Sequence, residues 1–269
     1  MLAALVFAQR LRDLDSIERA LATFAAFVLC SAATYLINDV ADRARDLAHP
    51  EKRLRPIAAG ALSVFVATLA AILCASAGLA LAFAINTPTG IVVTGYLALQ
   101  AAYSGFLKRL VIVDLFCIAA GFVLRVVAGA SAIAVPVSNW LYVCMLLVSL
   151  FLALGKRRAE LELIDAGSHR ENLNEYSLAL IDQLIAVVAG ATIVCYSLYT
   201  MSAETIAKFG HDRLKFTIPF VLYGLFRYLY LVHRRGAGAA PERVLTSDVA
   251  LILDLGLYAC VAVWAIYLR

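Results

Sequence analysis

The chain has 269 residues, of which 63% are hydrophobic and only 16% are charged, and its mean hydropathy is +0.87. Soluble globular domains are nearer half apolar and a quarter charged. The composition therefore excludes a soluble enzyme, a secreted disulfide scaffold and a disordered chain, and it indicates an integral membrane protein. The net charge of +4 is modest, and acidic residues interrupt the basic ones. No nucleic-acid partner is expected, and anionic lipids or phosphates are favoured.

Apolar runs of about 20 residues mark bilayer crossings. The first nine residues are apolar but too short to cross, and they form either an abbreviated helix or an interfacial segment. Longer predicted spans lie at residues 17–37, 62–86, 89–107, 111–134, 136–154, 182–201, 214–233 and 247–268. The sequence thus predicts an all-α, polytopic transmembrane bundle of eight to nine helices, forming a single transmembrane domain over residues 1–269.

Basic residues are concentrated in alternate links between these spans. The links at 39–60, 108–110, 155–181 and 234–246 hold fourteen Lys and Arg residues, and the other links hold six. By the positive-inside rule the fourteen face the cytoplasm. We therefore expect a protein of the cell (inner) membrane with a cytoplasmic site. Pro88 and Pro136 lie in very short links on the opposite side, where they predict tight antiparallel hairpins.

An acidic segment follows the first long span directly. Asn38, Asp42 and Asp46 are spaced by four residues, and Asp39 lies three residues before Asp42, so all four share one face if the helix continues. Crowded carboxylates repel one another unless a cation neutralises them. Few, water-exposed oxygen ligands suit Mg²⁺ that also binds a substrate phosphate. The alternative is a solvated helix end whose aspartates pair with Arg43 and Arg45.

A basic loop comes next, and the two segments together resemble a known family. The first reads Asn-Asp-x-x-Asp-x-x-x-Asp from residue 38, and the second reads His-Pro-x-Lys-Arg-x-Arg-Pro-Ile-Ala-x-Gly from residue 49. This pattern resembles the first Asp-rich motif and loop of the UbiA-type intramembrane prenyltransferase superfamily. The resemblance implies nine helices around a magnesium-bound diphosphate. The family also has a basic and aromatic segment before its first helix, so we expect this chain to start inside that helix, either because its start is misassigned or because this member lacks the segment.

The second polar segment indicates the branch of the superfamily. Members that transfer prenyl groups carry a second Asp-rich motif late in the chain, whereas Asp42 and Asp46 form the one Asp-x-x-x-Asp pair in this sequence. The corresponding link reads Gly-Lys-Arg-Arg-Ala-Glu-Leu from residue 155. This basic link, together with the sequence motifs around Asp114, Arg125 and Arg227, resembles the decaprenyl-phosphate phosphoribosyltransferase branch of the superfamily.

That resemblance implies a phosphoribosyltransferase. It would move 5-phosphoribose from phosphoribosyl pyrophosphate to a polyprenyl phosphate lipid, release pyrophosphate and invert C1, with Mg²⁺ as cofactor. Homo-oligomers are compatible with it. The catalytic, metal-binding residues implied are Asp39, Asp42 and Asp46. The implied substrate-binding residues are Asn38, Lys52, Arg55, Tyr103, Lys108, Arg125, Lys156, Arg157, Glu160, Arg170 and Tyr176. We expect the acidic cluster and the Lys156 and Arg157 cluster to converge on one cavity.

Purely structural roles for several of these residues, and other functions for the chain, stay open at this point. Arg125 could form a structural pair with Asp114 or a carbonyl group, Tyr103 could be an interfacial aromatic residue, and Lys156 to Arg158 could be a positive-inside anchor. An aromatic prenyltransferase of the same superfamily would need a second carboxylate cluster. A transporter or channel would need broken helices or charges midway through several spans, and the sequence lacks that pattern.

Overall fold

The regular elements of the described residues are all helical. The structure is a computed structural model, and it describes residues 1–48, 52–164, 175–235, 244 and 246–267. In chain order the α-helices are α1 (Leu2–Phe7), α2 (Leu14–Ala41), α3 (Arg43–Leu47), α4 (Val64–Ile85), α5 (Thr87–Gly105), α6 (Val113–Ala132), α7 (Asn139–Ile164), α8 (Leu178–Met201), α9 (Ala203–Phe209), α10 (Ile218–Arg235) and α11 (Val249–Tyr267). Short 3₁₀ helices lie at Lys52–Leu54, Leu107–Arg109 and Arg213–Thr217.

The eight predicted spans are confirmed as the long helices α2, α4, α5, α6, α7, α8, α10 and α11. Seven segments of the described chain are long and apolar enough to cross a membrane. Helix α5 is not one of them, although it has 19 residues, because threonines, glycines and Gln100 dilute its apolar residues. The chain is thus an all-α, polytopic transmembrane bundle.

The turn at Pro88 is a tight hairpin, as predicted. Asn86 is the one residue between α4 and α5, and Pro88 lies in the first turn of α5, where its missing N–H costs nothing. The Asn86 side chain accepts a hydrogen bond from the Thr89 amide at 2.8 Å. It also donates to the Ser131 carbonyl at 3.0 Å. The hairpin predicted at Pro136 stays a prediction.

The helices divide into two compact units, and whether they form one domain stays a prediction. The first unit contains residues 1–108 and 124–136. In it α2 packs against α4 and α5, around a core that includes Phe27, Cys30 and Tyr96. A Cβ at Gly78 would lie 2.6 Å from the sulfur of Cys30. Glycine at this position therefore permits the close approach of α4 to α2.

The second unit contains residues 109–123 and 137–269. Helix α7 packs against α8, and α10 contacts α7, α8 and α11. The rings of Phe151 on α7 and Tyr228 on α10 lie 5.3 Å apart. A Cβ at Gly155 would lie 2.8 Å from the Tyr228 hydroxyl, so glycine is required for this contact between α7 and α10.

Candidate active site

The candidate site residues are distributed over both units. Those in the first unit are Asn38, Asp39, Asp42, Asp46, Lys52, Arg55, Tyr103, Lys108 and Arg125. Those in the second unit are Lys156, Arg157, Glu160 and Tyr176, and Arg170 lies outside the described residues. The expected convergence of the two sets on one cavity stays a prediction.

The acidic segment does not continue α2 as one uninterrupted helix, which corrects the sequence-based expectation. Helix α2 ends at Ala41, Asp42 occupies the junction, and α3 begins at Arg43. Carboxylates at a helix C-terminus oppose the negative end of the helix dipole, and aspartate has a low helix propensity. The break nevertheless preserves the backbone hydrogen bonds from Asp42 to Asn38 and from Asp46 to Asp42.

Arg55 brings two of the three carboxylates together. Its Nη1 atom donates to Oδ1 of Asp39 at 2.8 Å and to Oδ2 of Asp46 at 2.9 Å. The side chain of Asp46 is only 5% exposed. A buried carboxylate requires a cationic or hydrogen-bonding partner, and the basic loop after α3 supplies it. Asp39 and Asp46 therefore face a single cationic nitrogen.

Asp42 has two different cationic neighbours. Nζ of Lys108, in the 3₁₀ helix after α5, lies 3.4 Å from its Oδ1 atom. Nη1 of Arg45 lies 3.6 Å from the same oxygen. The pairing expected as the alternative for the aspartates is therefore present for Arg45, whereas the shorter contacts of the three aspartates are with Arg55 and Lys108. Both are residues that the family resemblance implicates.

The remaining predicted residues of the acidic end are placed as follows. Asn38 is on the last turn of α2 and is partly buried, and Lys52 is exposed at the start of the 3₁₀ helix after α3. Tyr103 is partly buried near the end of α5, five residues before Lys108. The contacts of these three residues with substrate stay predictions.

The donor chemistry of the acidic residues fits Mg²⁺, because the three side chains offer hard carboxylate oxygens. Among the described residues, no group of three or more His, Cys, Asp or Glu side chains already stands in a metal-binding arrangement. Asp39 and Asp46 converge on Arg55, and Asp42 faces Lys108. A divalent cation would have to displace these side-chain cations from the carboxylates.

Arg125 belongs to a polar cluster that sequence reasoning identified only in part. Its Nη2 atom donates to the Tyr96 hydroxyl at 2.9 Å, and its guanidinium lies 4.8 Å from the centre of the Tyr96 ring. Ser31 and Gln100 also contact Tyr96. Polar side chains in the interior of apolar helices are the feature of the sequence that could have indicated the whole cluster.

In the second unit, Arg157 forms a buried ion pair. Its Nη2 atom donates to Oδ2 of Asp114 at 2.5 Å, and its Nη1 atom donates to Glu160 at 2.6 Å. The side chain of Asp114 is fully buried, and that of Arg157 is 3% exposed. Glu160 thus accepts from Arg157, three residues earlier, instead of from Lys156 as the spacing of four suggested.

Tyr176 completes this network and stays protonated. Its hydroxyl donates to Oδ1 of Asp114 at 2.9 Å and accepts from the amide of Ile112. Burial raises the pKa of Tyr176 to about 12. Ile112 has a φ of 68°, which is unusual for a β-branched residue. The network therefore stabilises a strained turn before α6 and orients Arg157.

Lys156 differs from its neighbour Arg157 in its surroundings. Its side chain is exposed, and no hydrogen bond or ion pair involves it in the described part of the chain. Arg158 is held by Glu162 and Asp182, at 2.6 and 2.7 Å. Of these three adjacent basic residues, Lys156 is the one whose charge faces solvent.

The apolar spanning helices define the chain as an integral membrane protein, and carboxylates and basic side chains form its candidate site at one helix end. The chain belongs to the UbiA prenyltransferase family, whose family model matches residues 1–245. This result confirms the family resemblance of the acidic motif and the basic loop.

Curated relatives match most of the chain. It is 34% identical to the decaprenyl-phosphate phosphoribosyltransferase of Mycolicibacterium smegmatis, over 86% of this chain and 76% of that protein. It is 31% identical to the Mycobacterium tuberculosis protein of the same name, over 97% of this chain and 86% of the relative. The branch suggested by the sequence is therefore the branch that these relatives represent.

A solved structure confirms the fold. The chain resembles a UbiA homolog from Archaeoglobus fulgidus bound to DMAPP and Mg²⁺, with a TM-score of 0.73 and 20% identity. The similarity covers 99% of this chain and 93% of that one. The helices of this chain thus have the UbiA fold.

Proposed function

We propose that the protein transfers 5-phosphoribose from phosphoribosyl pyrophosphate to a polyprenyl phosphate of the decaprenyl type. The observation that carries the proposal is the match to relatives of that name at 31% and 34% identity over 97% and 86% of the chain. The basic residues at 156–158, where a second Asp-rich motif would be expected, agree with a donor that carries an additional phosphate.

The acidic cluster would hold the metal. Asp39, Asp42 and Asp46 would bind Mg²⁺, which neutralises the leaving pyrophosphate when it is bound. Asp39 and Asp46 already face one cationic nitrogen, and Asp42 lies beside Lys108. Arg55 and Lys108, once released from the carboxylates, would remain close enough to the cluster to donate to the donor's phosphates.

The other implied residues would bind the phosphates and position the ribose. Lys156 is exposed and would contribute an unpaired ammonium group, whereas Arg157 is oriented by Asp114, Glu160 and Tyr176. Asn38, Tyr103 and Lys52 would contact the donor from the first unit, and Arg170 would add a further charge. We assign Arg157 to phosphate binding only through the part of its guanidinium that the carboxylates do not occupy.

The reaction requires no strong general base. The C1–O bond to pyrophosphate breaks, and a new bond forms between C1 and an oxygen of the acceptor's phosphate, which is already an anion. No proton has to move in this step. Attack from the face opposite the leaving group inverts C1 and gives a β-linked phosphoribosyl lipid. The acceptor's phosphate is water-soluble and its prenyl tail is not, which agrees with a site at the membrane surface. The concentration of basic residues in the links that carry the site favours the cytoplasmic side of the inner membrane.

Purified protein in detergent or liposomes should convert labelled phosphoribosyl pyrophosphate and decaprenyl phosphate into a labelled lipid and pyrophosphate. EDTA should abolish the reaction, and added Mg²⁺ should restore it. The same preparation should not prenylate 4-hydroxybenzoate from a prenyl diphosphate. Prenylation at a comparable rate would favour the alternative, a UbiA-type prenyltransferase for an aromatic acceptor. Activity that is unchanged in EDTA would contradict the metal assignment.

Replacement of Arg55 by glutamine should increase the affinity of the substrate-free protein for a divalent cation. The metal would then no longer compete with the nitrogen that bridges Asp39 and Asp46. We expect the affinity to rise by about fivefold, which corresponds to about 1 kcal/mol of binding free energy. Electron paramagnetic resonance of free Mn²⁺ measures this affinity directly. Arg53→Gln removes the same charge from an exposed side chain of the same loop and should change the affinity less. Equal or weaker Mn²⁺ binding by Arg55→Gln would contradict the competition.

A further inference from the structure

A polar cluster lies inside the apolar helices of the first unit. The Tyr96 hydroxyl on α5 is its centre: it accepts from Nη2 of Arg125 on α6 at 2.9 Å and from the Gln100 amide at 3.2 Å. Ser31 on α2 lies 3.1 Å from the same oxygen and 3.5 Å from Nη2 of Arg125. Three helices thus contribute polar side chains to one small volume.

The cluster lies deeper along α2 than the acidic end. Ser31 precedes Asp39 by eight residues, which is about 12 Å along a helix axis. Ser31, Asn38 and Asp42 are spaced by seven and then four residues, so they occupy one face of α2 up to its end. A line of polar side chains therefore extends from the acidic cluster into the apolar part of the helix.

The guanidinium of Arg125 is held in a defined orientation. The ring centres of Tyr96 and Phe27 lie 4.8 and 5.9 Å from it, so its planar face rests on aromatic surfaces. The hydroxyls of Tyr96 and Ser31 lie at its Nη2 edge. Tyr96 is buried, whereas Arg125, Ser31 and Gln100 remain partly accessible. Polar groups at membrane depth that keep some accessibility line substrate or water paths.

We propose that Ser31, Tyr96, Gln100 and Arg125 form a binding subsite for a phosphate monoester. The proposal rests on the proposed function, in which both substrates carry such a group: the 5-phosphate of the donor and the phosphate of the lipid acceptor. A planar guanidinium with hydroxyl donors at its edge matches the oxygens of a phosphate. The depth of about 12 Å below Asp39 separates this subsite from the pyrophosphate at the carboxylates.

This separation agrees with the chemistry at C1. Inversion requires that the leaving pyrophosphate and the attacking phosphate lie on opposite sides of C1. The ribose also separates the pyrophosphate from the 5-phosphate. A subsite below the acidic cluster is therefore suitably placed for either the donor's 5-phosphate or the acceptor's phosphate. Binding there would fix the position of C1 relative to the carboxylates.

The test compares three ligands on the substrate-free protein with and without the Arg125→Gln substitution. The probes are pyrophosphate with Mg²⁺, phosphoribosyl pyrophosphate with Mg²⁺, and a short-chain polyprenyl phosphate, each measured by equilibrium binding in detergent. We expect unchanged pyrophosphate binding and at least about a tenfold loss for one of the two monoesters. Loss for phosphoribosyl pyrophosphate identifies the donor's 5-phosphate, and loss for the polyprenyl phosphate identifies the acceptor. Tyr96→Phe should weaken the same ligand to a smaller degree.

Arg19→Gln is the matched control, because Arg19 is a partly exposed residue of α2 that pairs with exposed Asp15. It should leave all three affinities unchanged. Arg125→Lys, which keeps the charge, should recover part of the lost affinity. Unchanged binding of both monoesters by Arg125→Gln overturns the proposal, and so does an equal loss for all three probes with a lower thermal unfolding temperature. If wild-type protein catalyses the transfer in either case, the proposed function stands without this subsite.

Discussion

Replacement of Asp42 by asparagine is expected to lower the rate of phosphoribosyl transfer by about a thousandfold or more, while the protein unfolds at nearly the wild-type temperature. Asparagine preserves the shape of the side chain and removes the charge that a metal requires. Without the metal, the leaving group loses several kcal/mol of stabilisation in the transition state, so the activation free energy rises. Each 1.4 kcal/mol of that rise lowers the rate tenfold. A radiometric assay of lipid product at saturating substrates measures the effect.

Asp39→Asn and Asp46→Asn should each cause a comparable loss of activity. Asp46 is the most buried of the three carboxylates, and its replacement should also weaken the contact with Arg55. Asp15→Asn is the control, because Asp15 is an exposed residue at the other end of α2. Full turnover by Asp42→Asn would refute the assignment of the acidic cluster to magnesium.

The spanning helices could be predicted from the sequence because a bilayer imposes a simple length and hydropathy on each of them. The predicted run at 62–86 became α4 at Val64–Ile85, and the run at 247–268 became α11 at Val249–Tyr267. Asp39, Asp42 and Asp46 could be grouped as one candidate cluster because their spacing is local. In both cases the signal lies within a few turns of one helix.

The side-chain partners could not be predicted, because they depend on contacts between distant parts of the chain. Lys108 and Asp42 are 66 residues apart, and Arg157 and Asp114 are 43 residues apart. Arg227 donates two hydrogen bonds to Asp248, which lies 21 residues later in the chain. No periodic pattern marks which carboxylate a basic residue will reach. The family resemblance treats Lys156 and Arg157 alike, whereas the structure pairs Arg157 with Asp114 and leaves the Lys156 side chain exposed.

Lys156 and Arg157 should consequently respond differently to the same substitution. Arg157→Ala leaves the fully buried carboxylate of Asp114 without its cation, and breaking a buried pair in this way costs about 3–5 kcal/mol. We expect a large fall in the thermal unfolding temperature and a low yield of folded protein. Lys156→Ala removes an exposed side chain, so its unfolding temperature should match the wild type.

The two variants also separate stability from substrate binding. Lys156→Ala should weaken phosphoribosyl pyrophosphate binding by about tenfold, since a hydrogen bond between charged groups contributes about 1.5–3 kcal/mol. A double variant in which Asp114→Asn accompanies Arg157→Ala should be less destabilised than the sum of the single variants, because the orphaned charge is gone. Equal stability of Lys156→Ala and Arg157→Ala would show that the pair with Asp114 does not hold α7 to the turn before α6.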